Sequence, residues 1–352
     1  MKPYLLFLIL LLFSVFSCTI KQHEPLPTHG MLWEITGNKL KTPSYLFGTY
    51  HLQGGTQILD SIKFFDSIFD SSDQFLCEFN YRKPNIQKPI EKITSKKTDN
   101  RLKPWPTADS TYENLISIRE KKLLDSTLYS DKFLTYIKKL NLRPLRLLSC
   151  IKLSYSKSNK NTLQKTAEES KPEKDSTKSI MLDLYLQNLA EKRNMNIVGL
   201  ESVEEIQKNK KSIFSQVPQL SYRTEVDILM FYIENHATLD SLNKEFAKNA
   251  LSAYLKQDIS LCLSLSTQQT KVSNMKNNPI HLYLGNEKFY EKRDILIINE
   301  RNNNWMKKIP DLITEKSSFI AVGAAHLAGE NGLINQLREL GYIVVPVQDN
   351  KK

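Results

Sequence analysis

The feature that most constrains the fold of this chain is a short pattern that occurs near both of its ends. Residues 44–51 read Ser-Tyr-Leu-Phe-Gly-Thr-Tyr-His, and residues 318–326 read Ser-Phe-Ile-Ala-Val-Gly-Ala-Ala-His. Each is an apolar strand followed by Gly, two further residues and His. With 11 Gly and 6 His in 352 residues, about 0.2 Gly-x-x-His sequences would occur by chance. The pair therefore indicates two related structural units.

The N-terminal pattern opens a strand–helix–strand segment. After the strand at 45–47, apolar residues recur at helical spacing over 58–69, and residues 74–79 form another short apolar run. Such βαβ units contain parallel strands with a right-handed crossover. A turn through Gly37 and Asn38 joins the strand at 45–47 to an earlier one at 31–35.

The C-terminal pattern opens a second unit of the same kind. A strand at 319–322 is followed by a helix face over 333–340, a C-cap candidate at Gly341 and a last strand at 342–347. Most of the intervening chain has helical periodicity. We therefore predict an α/β (α+β-like) fold with a split, parallel-rich sheet, built from N- and C-terminal βαβ units, and a central helical cap.

The N-terminus is predicted to be a lipoprotein signal peptide over residues 1–17. Lys2 precedes an apolar run at 5–16, which is shorter than the roughly 20 residues that a membrane-spanning helix needs. The small residue Ser17 before Cys18 resembles a lipobox, so Cys18 would carry the lipid. An ordinary signal peptide with a chance Cys is the alternative. We expect a lipid-anchored protein of the cell envelope, and Thr19 after Cys18 favours the outer over the inner membrane.

The remaining chain divides by composition. Residues 18–30 are polar and contain two prolines, which is typical of a tether, and residues 31–348 form the predicted domain. Within that domain, residues 156–179 are rich in Lys, Ser, Thr, Glu and Asn with almost no apolar side chains. Such a segment buries too little surface to offset its ordering entropy, so we predict a mobile insertion.

Charge and cysteine content exclude two classes of function. The formal charge is +11, but it is spread along the chain without a nucleic-acid-reading motif, so no nucleic-acid partner is expected. After lipidation three cysteines remain, Cys77, Cys150 and Cys262, and an odd number cannot all pair within the chain. No Cys-x-x-Cys spacing indicates a thiolate metal site.

The chemistry-bearing residues follow the predicted strands. Open α/β sheets bind ligands beyond the carboxyl ends of their parallel strands. Gly48 and Gly323 would let the chain turn there, so that His51 and His326 point back over the sheet edge. Glu78 ends the strand after the first helix. Two His and one carboxylate with an open position form a common catalytic metal set.

Further polar residues could complete such a site. Glu201 ends a short predicted strand and is the candidate general base, and Arg301 could hold a carboxylate or polarise a substrate carbonyl. Taken singly, each His could be structural, Glu78 could be solvated, and Arg301 could pair on a helix surface with Glu300 or Asp294. The chain has no Gly-x-Ser-x-Gly or His-Glu-x-x-His motif.

The motifs resemble the TraB/GumN family. Residues 32–35 (Leu-Trp-Glu-Ile) with 45–52 look like its opening block, and 319–333 with 337–347 look like its closing block. Residues 198–201 and 300–302 resemble weaker internal signatures of the same family. The family includes the TIKI metalloproteases and bacterial proteins that damp peptide pheromone signalling. The resemblance implies a metal centre of His51, Glu78 and His326 binding Mn, Co or Zn, and it adds Glu201, Arg301 and Asn302 as supporting residues.

We therefore expect an envelope-anchored, metal-dependent hydrolase, in particular a peptidase. Its partners would be a peptide or protein substrate and the membrane that holds the lipid on Cys18. Two alternatives remain open. The protein could be a non-catalytic lipoprotein that binds peptides or supports an envelope complex, or its site could hydrolyse a non-peptide ester or amide.

Overall fold

The computed structural model describes residues 25–52, 54–81, 112–140, 142–155, 180–214, 220–267, 279 and 293–347. The expected signal peptide, Cys18 and the insertion at 156–179 lie outside these ranges. Within them, no helix is both long enough and apolar enough to cross a membrane.

The described strands form one six-stranded sheet with the order β4–β3–β5–β2–β1–β6. In chain order the strands are β1 (Leu32–Gly37), β2 (Ser44–Thr49), β3 (Gln74–Cys77), β4 (Asn196–Gly199), β5 (Ser318–Gly323) and β6 (Tyr342–Pro346). Strands β2, β5, β3 and β4 run parallel, whereas β1 lies antiparallel between β2 and β6. The predicted α/β fold with a parallel-rich sheet is confirmed.

The two ends of the chain interleave in this sheet. Strand β5, from the C-terminal unit, pairs with β2 on one side and with β3 on the other. The two strands of the N-terminal βαβ unit are therefore joined only through a strand that lies at the other end of the sequence. This arrangement confirms the split sheet.

Helices surround the sheet and build the cap. In chain order they are α1 (Phe65–Asp70), α2 (Tyr112–Leu115), α3 (Ile118–Tyr129), α4 (Lys132–Lys138), α5 (144–155), α6 (Leu182–Lys192), α7 (Val203–Phe214), α8 (Tyr222–Leu255), α9 (Ile259–Thr267), α10 (Glu300–Trp305), α11 (Ile309–Glu315) and α12 (Leu333–Glu339). A π-helical turn (Ile295–Asn299) leads directly into α10.

The first crossover differs from the continuous helix that its periodicity predicted. It consists of a 3₁₀ helix (Gly55–Ser61) and the short helix α1, separated at Phe64, which has a φ of 65°. The break lets both pieces bury their apolar side chains against the same sheet: Ile58 and Phe69 are fully buried, and the ring of Phe69 lies 4.8 Å from that of Phe319. The apolar spacing correctly predicted which side chains are buried, but these side chains belong to two helical elements and not to one.

Two separate clusters of buried apolar residues stabilise the described chain. The larger one packs on the sheet, and the second lies among α3, α4, α5 and the N-terminal half of α8. The 34-residue helix α8 connects them, because Val226 belongs to the second cluster and Tyr254 to the first. The helical cap thus has a core of its own.

Candidate active site

The parallel strands bring the predicted residues to one edge of the sheet. His51 follows β2, Glu78 follows β3, Glu201 follows β4, and His326 ends the 3₁₀ turn after β5. The register pairs Thr49 with Gly323 and Cys77 with Ala321, so β2 and β5 end at the same level and β3 ends just before it. Side chains that follow their carboxyl ends therefore converge, as the sequence predicted.

The two glycines of the repeated pattern have different roles. A Cβ on Gly323 would lie 2.7 Å from Nε2 of His51 and 3.3 Å from Oε1 of Glu78. The absence of a side chain there keeps open the space between these two groups. A Cβ on Gly48 would instead lie 3.2 Å from the backbone of Ala324. Gly48 thus allows the end of β2 to pack against the turn that positions His326.

Both imidazoles turn the same nitrogen towards Glu78. Nε2 of His51 lies 3.5 Å from Oε1 of Glu78, and Nε2 of His326 lies 3.8 Å from that same atom. The backbone N–H of Gly323 donates to this oxygen at 2.7 Å, which holds the carboxylate in place. Three donor atoms from three strand ends therefore face a common point.

Each imidazole is oriented through its other nitrogen. Nδ1 of His51 lies 2.9 Å from Oδ2 of Asp183, and Nδ1 of His326 lies 2.7 Å from Oδ1 of Asn302. Hydrogen bonds of this kind place a proton on Nδ1 and turn Nε2 towards the site, an arrangement common among metal-binding histidines.

Arg301 connects the carboxylates of the site. Its guanidinium donates to both oxygens of Glu201, at 2.7 and 2.9 Å, and to Oε2 of Glu78 at 2.5 Å. Nη1, the third nitrogen of the Arg301 guanidinium, lies 3.3 Å from Nε2 of His326. The guanidinium also lies over the ring of Trp305, 4.7 Å from its centroid. Arg301, on α10, therefore holds the carboxylates of Glu78 and Glu201 and does not form a pair on the helix surface with Glu300 or Asp294.

The pKa values of the two histidines are shifted in opposite directions. Burial lowers the pKa of His326 to about 3, although the charge of Glu78 opposes this shift. Burial alone would also lower the pKa of His51, but its hydrogen bonds to Asp183 and Glu78 raise it to about 10. Burial alone would raise the pKa of Glu78, whereas the hydrogen bond with His51 and the charge of Arg301 hold it well below its usual range. Glu78 is therefore ionised and His326 neutral.

Two polar residues of α6 that contact the site were not predicted from the sequence. Oδ1 of Asp183 accepts a hydrogen bond from Thr49 at 2.7 Å, so one carboxylate fixes both the end of β2 and His51. One turn later, Gln187 donates to the carbonyl of Phe79 at 3.0 Å and accepts from N–H of Tyr81 at 3.1 Å. Their four-residue spacing was a possible signal, but nothing local distinguishes it from a solvated helix face.

His51, Glu78 and His326 are the residues of this cluster that could hold a divalent cation. Nε2 of each ring faces Oε1 of Glu78, and Gly323 leaves space beside His51 and Glu78. With His51 protonated, the three carboxylates of Glu78, Asp183 and Glu201 face two positive charges, those of Arg301 and His51, and a bound divalent cation would take the place of the proton on Nε2 of His51. Among the residues that the structure describes, no group of three His, Cys, Asp or Glu side chains is placed so that it could hold a metal ion as it stands. Arg301 is the cation that contacts Glu78 instead.

The charged cluster forms the floor of a cleft of about 670 Å³. Its walls come mainly from apolar side chains of α7, the π-helical turn and the segment after β3. This volume is in the usual range for small-molecule and peptide sites. The cluster is therefore accessible to a ligand of that size.

The fold and site define an α/β protein with a His, His and carboxylate cluster at the carboxyl edge of a split sheet. The model of the TraB/PrgY/gumN family matches residues 31–346, and the chain belongs to this family. The family resemblance found in the sequence is thereby confirmed. No curated protein and no solved structure matches the chain.

Proposed function

We propose that the protein is a metal-dependent hydrolase that cleaves peptides or proteins in the cell envelope. The observation that supports this most is the convergence of Nε2 of His51 and Nε2 of His326 on one oxygen of Glu78. Each ring is held through Nδ1 by a separate partner. His51 also lines the accessible cleft, where a purely structural histidine would not need to lie.

His51, His326 and Glu78 would hold the cation, and Mn, Co or Zn is the proposed identity. A divalent ion bound there supplies Lewis acidity, which lowers the pKa of water and polarises a carbonyl group. Asp183 and Asn302 contribute by fixing the tautomers of the two rings.

The remaining site residues act on substrate and water. Glu201 would take a proton from water as the water oxygen adds to the carbonyl carbon, and Arg301 would stabilise the negative charge that develops on the carbonyl oxygen. Glu201 would then return the proton to the leaving amine as the C–N bond breaks. Both groups line the cleft, and their bidentate pair keeps them in place before the substrate binds.

The proposed location rests on the N-terminus. A lipid on Cys18 would tether the domain at the membrane surface, outer rather than inner, through the polar residues 18–30. The substrate would then be a peptide or protein of the envelope or the cell exterior.

Metal content tests the proposal directly. We would purify the full chain after reconstitution with Mn, Co or Zn, beside His51→Ala/His326→Ala and a matched double variant, His29→Ala/His236→Ala, at histidines outside the cluster. We expect about one equivalent of metal in the parent and in the matched control, and none in the site variant.

The outcome also separates the alternatives. A parent chain that binds metal would then be screened for cleavage of a peptide library, beside ester and non-peptide amide substrates. A correctly folded parent without metal would contradict the proposal and favour a non-catalytic peptide-binding or envelope-complex lipoprotein.

A further inference from the structure

The walls of the cleft differ sharply from its floor. The charged side chains that line it are those of the central cluster: His51, Glu78, Asp183, Glu201 and Arg301. Every other described residue that lines the cleft is uncharged. Among the described lining residues, charge is therefore confined to the cluster where the chemistry is proposed to occur.

The uncharged walls are mostly apolar and come from two parts of the fold. Val203 and Ile206 of α7 lie beside Leu296 and Ile297 of the π-helical turn. Phe79 belongs to the segment after β3, whose backbone Gln187 of α6 holds. The apolar walls are thus built from a helix, a π-helical turn and a segment that is hydrogen-bonded to α6.

Several of the wall side chains are exposed to solvent. Tyr81 is 46% exposed, Met181 41% and Ile297 37%. Single exposed apolar residues are ordinary on a protein surface, but three that line one cleft beside a charged cluster indicate a binding surface for an apolar group. A charged substrate group placed there would lose its hydration without gaining a partner.

We propose that this cleft selects peptides with a bulky apolar side chain, such as Leu or Phe, beside the peptide bond that reaches Arg301 and Glu201. The inference rests on the proposed function for its reacting bond. The apolar side chain would pack against Val203, Ile206 and Ile297, while the peptide carbonyl and amide reach the polar floor. Of these three wall residues, Ile297 can be altered with least risk to folding, because it is the most exposed.

Binding of two matched probes tests the inference without requiring cleavage. The probes are fluorescein-labelled hexapeptides of identical sequence except for Leu or Lys at the central position. Their affinities for the full chain in lipid nanodiscs, with EDTA present, are measured by fluorescence polarisation. We expect the Leu peptide to bind about tenfold more tightly than the Lys peptide.

Two variants locate the preference. Ile297→Asp should abolish or reverse it, because the new carboxylate disfavours the Leu side chain and attracts Lys. Ile118→Asp, at an isoleucine that is 80% exposed on α3, is the matched control and should retain the parent preference. Equal affinities of the two peptides for the parent, or the same behaviour of both variants, would overturn the inference.

The failure of this inference and that of the proposed function are distinguishable. A Leu preference without cleavage by the metal-loaded chain would leave the apolar cleft intact and contradict only the hydrolase proposal. Cleavage at equal rates next to Leu and Lys would support the hydrolase and overturn the preference.

Discussion

Asn302 determines which nitrogen of His326 faces Glu78. Its side-chain nitrogen donates to the backbone carbonyls of His326 and Asn331, at 3.1 and 2.8 Å, so its side-chain oxygen must be the atom that meets Nδ1 of the ring. That oxygen can only accept a hydrogen bond, so Nδ1 of His326 carries the proton and Nε2 presents its lone pair.

Replacing Asn302 should therefore impair both the site and the fold. We expect Asn302→Ala to lower metal affinity 10- to 100-fold, because the ring loses its orientation, and to destabilise the protein by roughly 1–3 kcal/mol through the buried groups left unpaired. Metal competition with a chromophoric chelator and urea unfolding measure the two effects. Asn303→Ala, at an exposed asparagine of the same helix, is the control; equal effects of the two changes would contradict the role of Asn302.

The two glycines of the repeated pattern should respond differently to one methyl group. Gly323→Ala places a Cβ against Nε2 of His51. The exposed His51 side chain can move outward, so we expect a loss of metal binding with a small change in stability. Gly48→Ala places its methyl against the backbone of Ala324, which cannot move easily, and should destabilise the fold by roughly 1–3 kcal/mol. Thermal unfolding and metal titration of both variants would show this contrast, and a similar profile for the two would refute it.

Asp183 should influence metal binding through His51. In Asp183→Asn the oxygen that orients His51 loses its charge, and we expect metal affinity to fall about 10-fold or more with little loss of secondary structure. Thr49→Val, which removes the other hydrogen bond of Asp183, should cause a smaller loss. Calorimetric titration of these variants, with exposed Asp60→Asn as control, measures the difference. Unchanged affinity in Asp183→Asn would exclude a positioning role.

The hydrogen bonds that cap the N-terminus of helix α3, between Ser117 and Glu120, should make the stability of the protein depend on pH. Hydrogen bonds from Arg223, opposed by partial burial and aided by Ser117, lower the pKa of Glu120 to about 2. Because the pKa is depressed in the folded state, the stabilisation is fully present above the ordinary value of 4.5 and is lost as the pH falls through about 2.

Glu120→Gln should therefore lower the free energy of unfolding at pH 7 and change it little at pH 2. We expect about 1 kcal/mol, since solvent screens a pair in which Arg223 is 45% exposed. Urea unfolding of parent and variant at the two pH values measures it, with Glu234→Gln at the weaker Arg119 contact as control. An equal deficit at both values would argue against the ionic origin.

The parts of the site that the sequence predicted are those with local signals. His51 and His326 follow Gly at a fixed spacing after apolar strands, and Glu78 ends the strand that follows a crossover. Asp183 lies on a helix far away in the sequence, and its contact with His51 depends on how that helix packs. Such packing leaves no local pattern in the sequence.

The fold, like the site, was predictable only where the sequence carries local signals. The strands at both ends were predictable from apolar runs and turn residues, but not the insertion of β5 between β2 and β3. Strand order depends on the balance of long-range contacts and not on local preference. The break at Phe64 was also hidden, because the apolar spacing continues across it.

The interleaved sheet makes the site a late product of folding. Until β5 has been synthesised, β2 and β3 lack the neighbour that joins them, and the space between His51 and Glu78 has no Gly323 to define it. Closing that gap requires the two ends of the chain to meet, which is an entropically costly step. A nascent chain, or one truncated before Ser318, therefore cannot assemble the cluster. Any activity of the cluster would thus be confined to the completed protein.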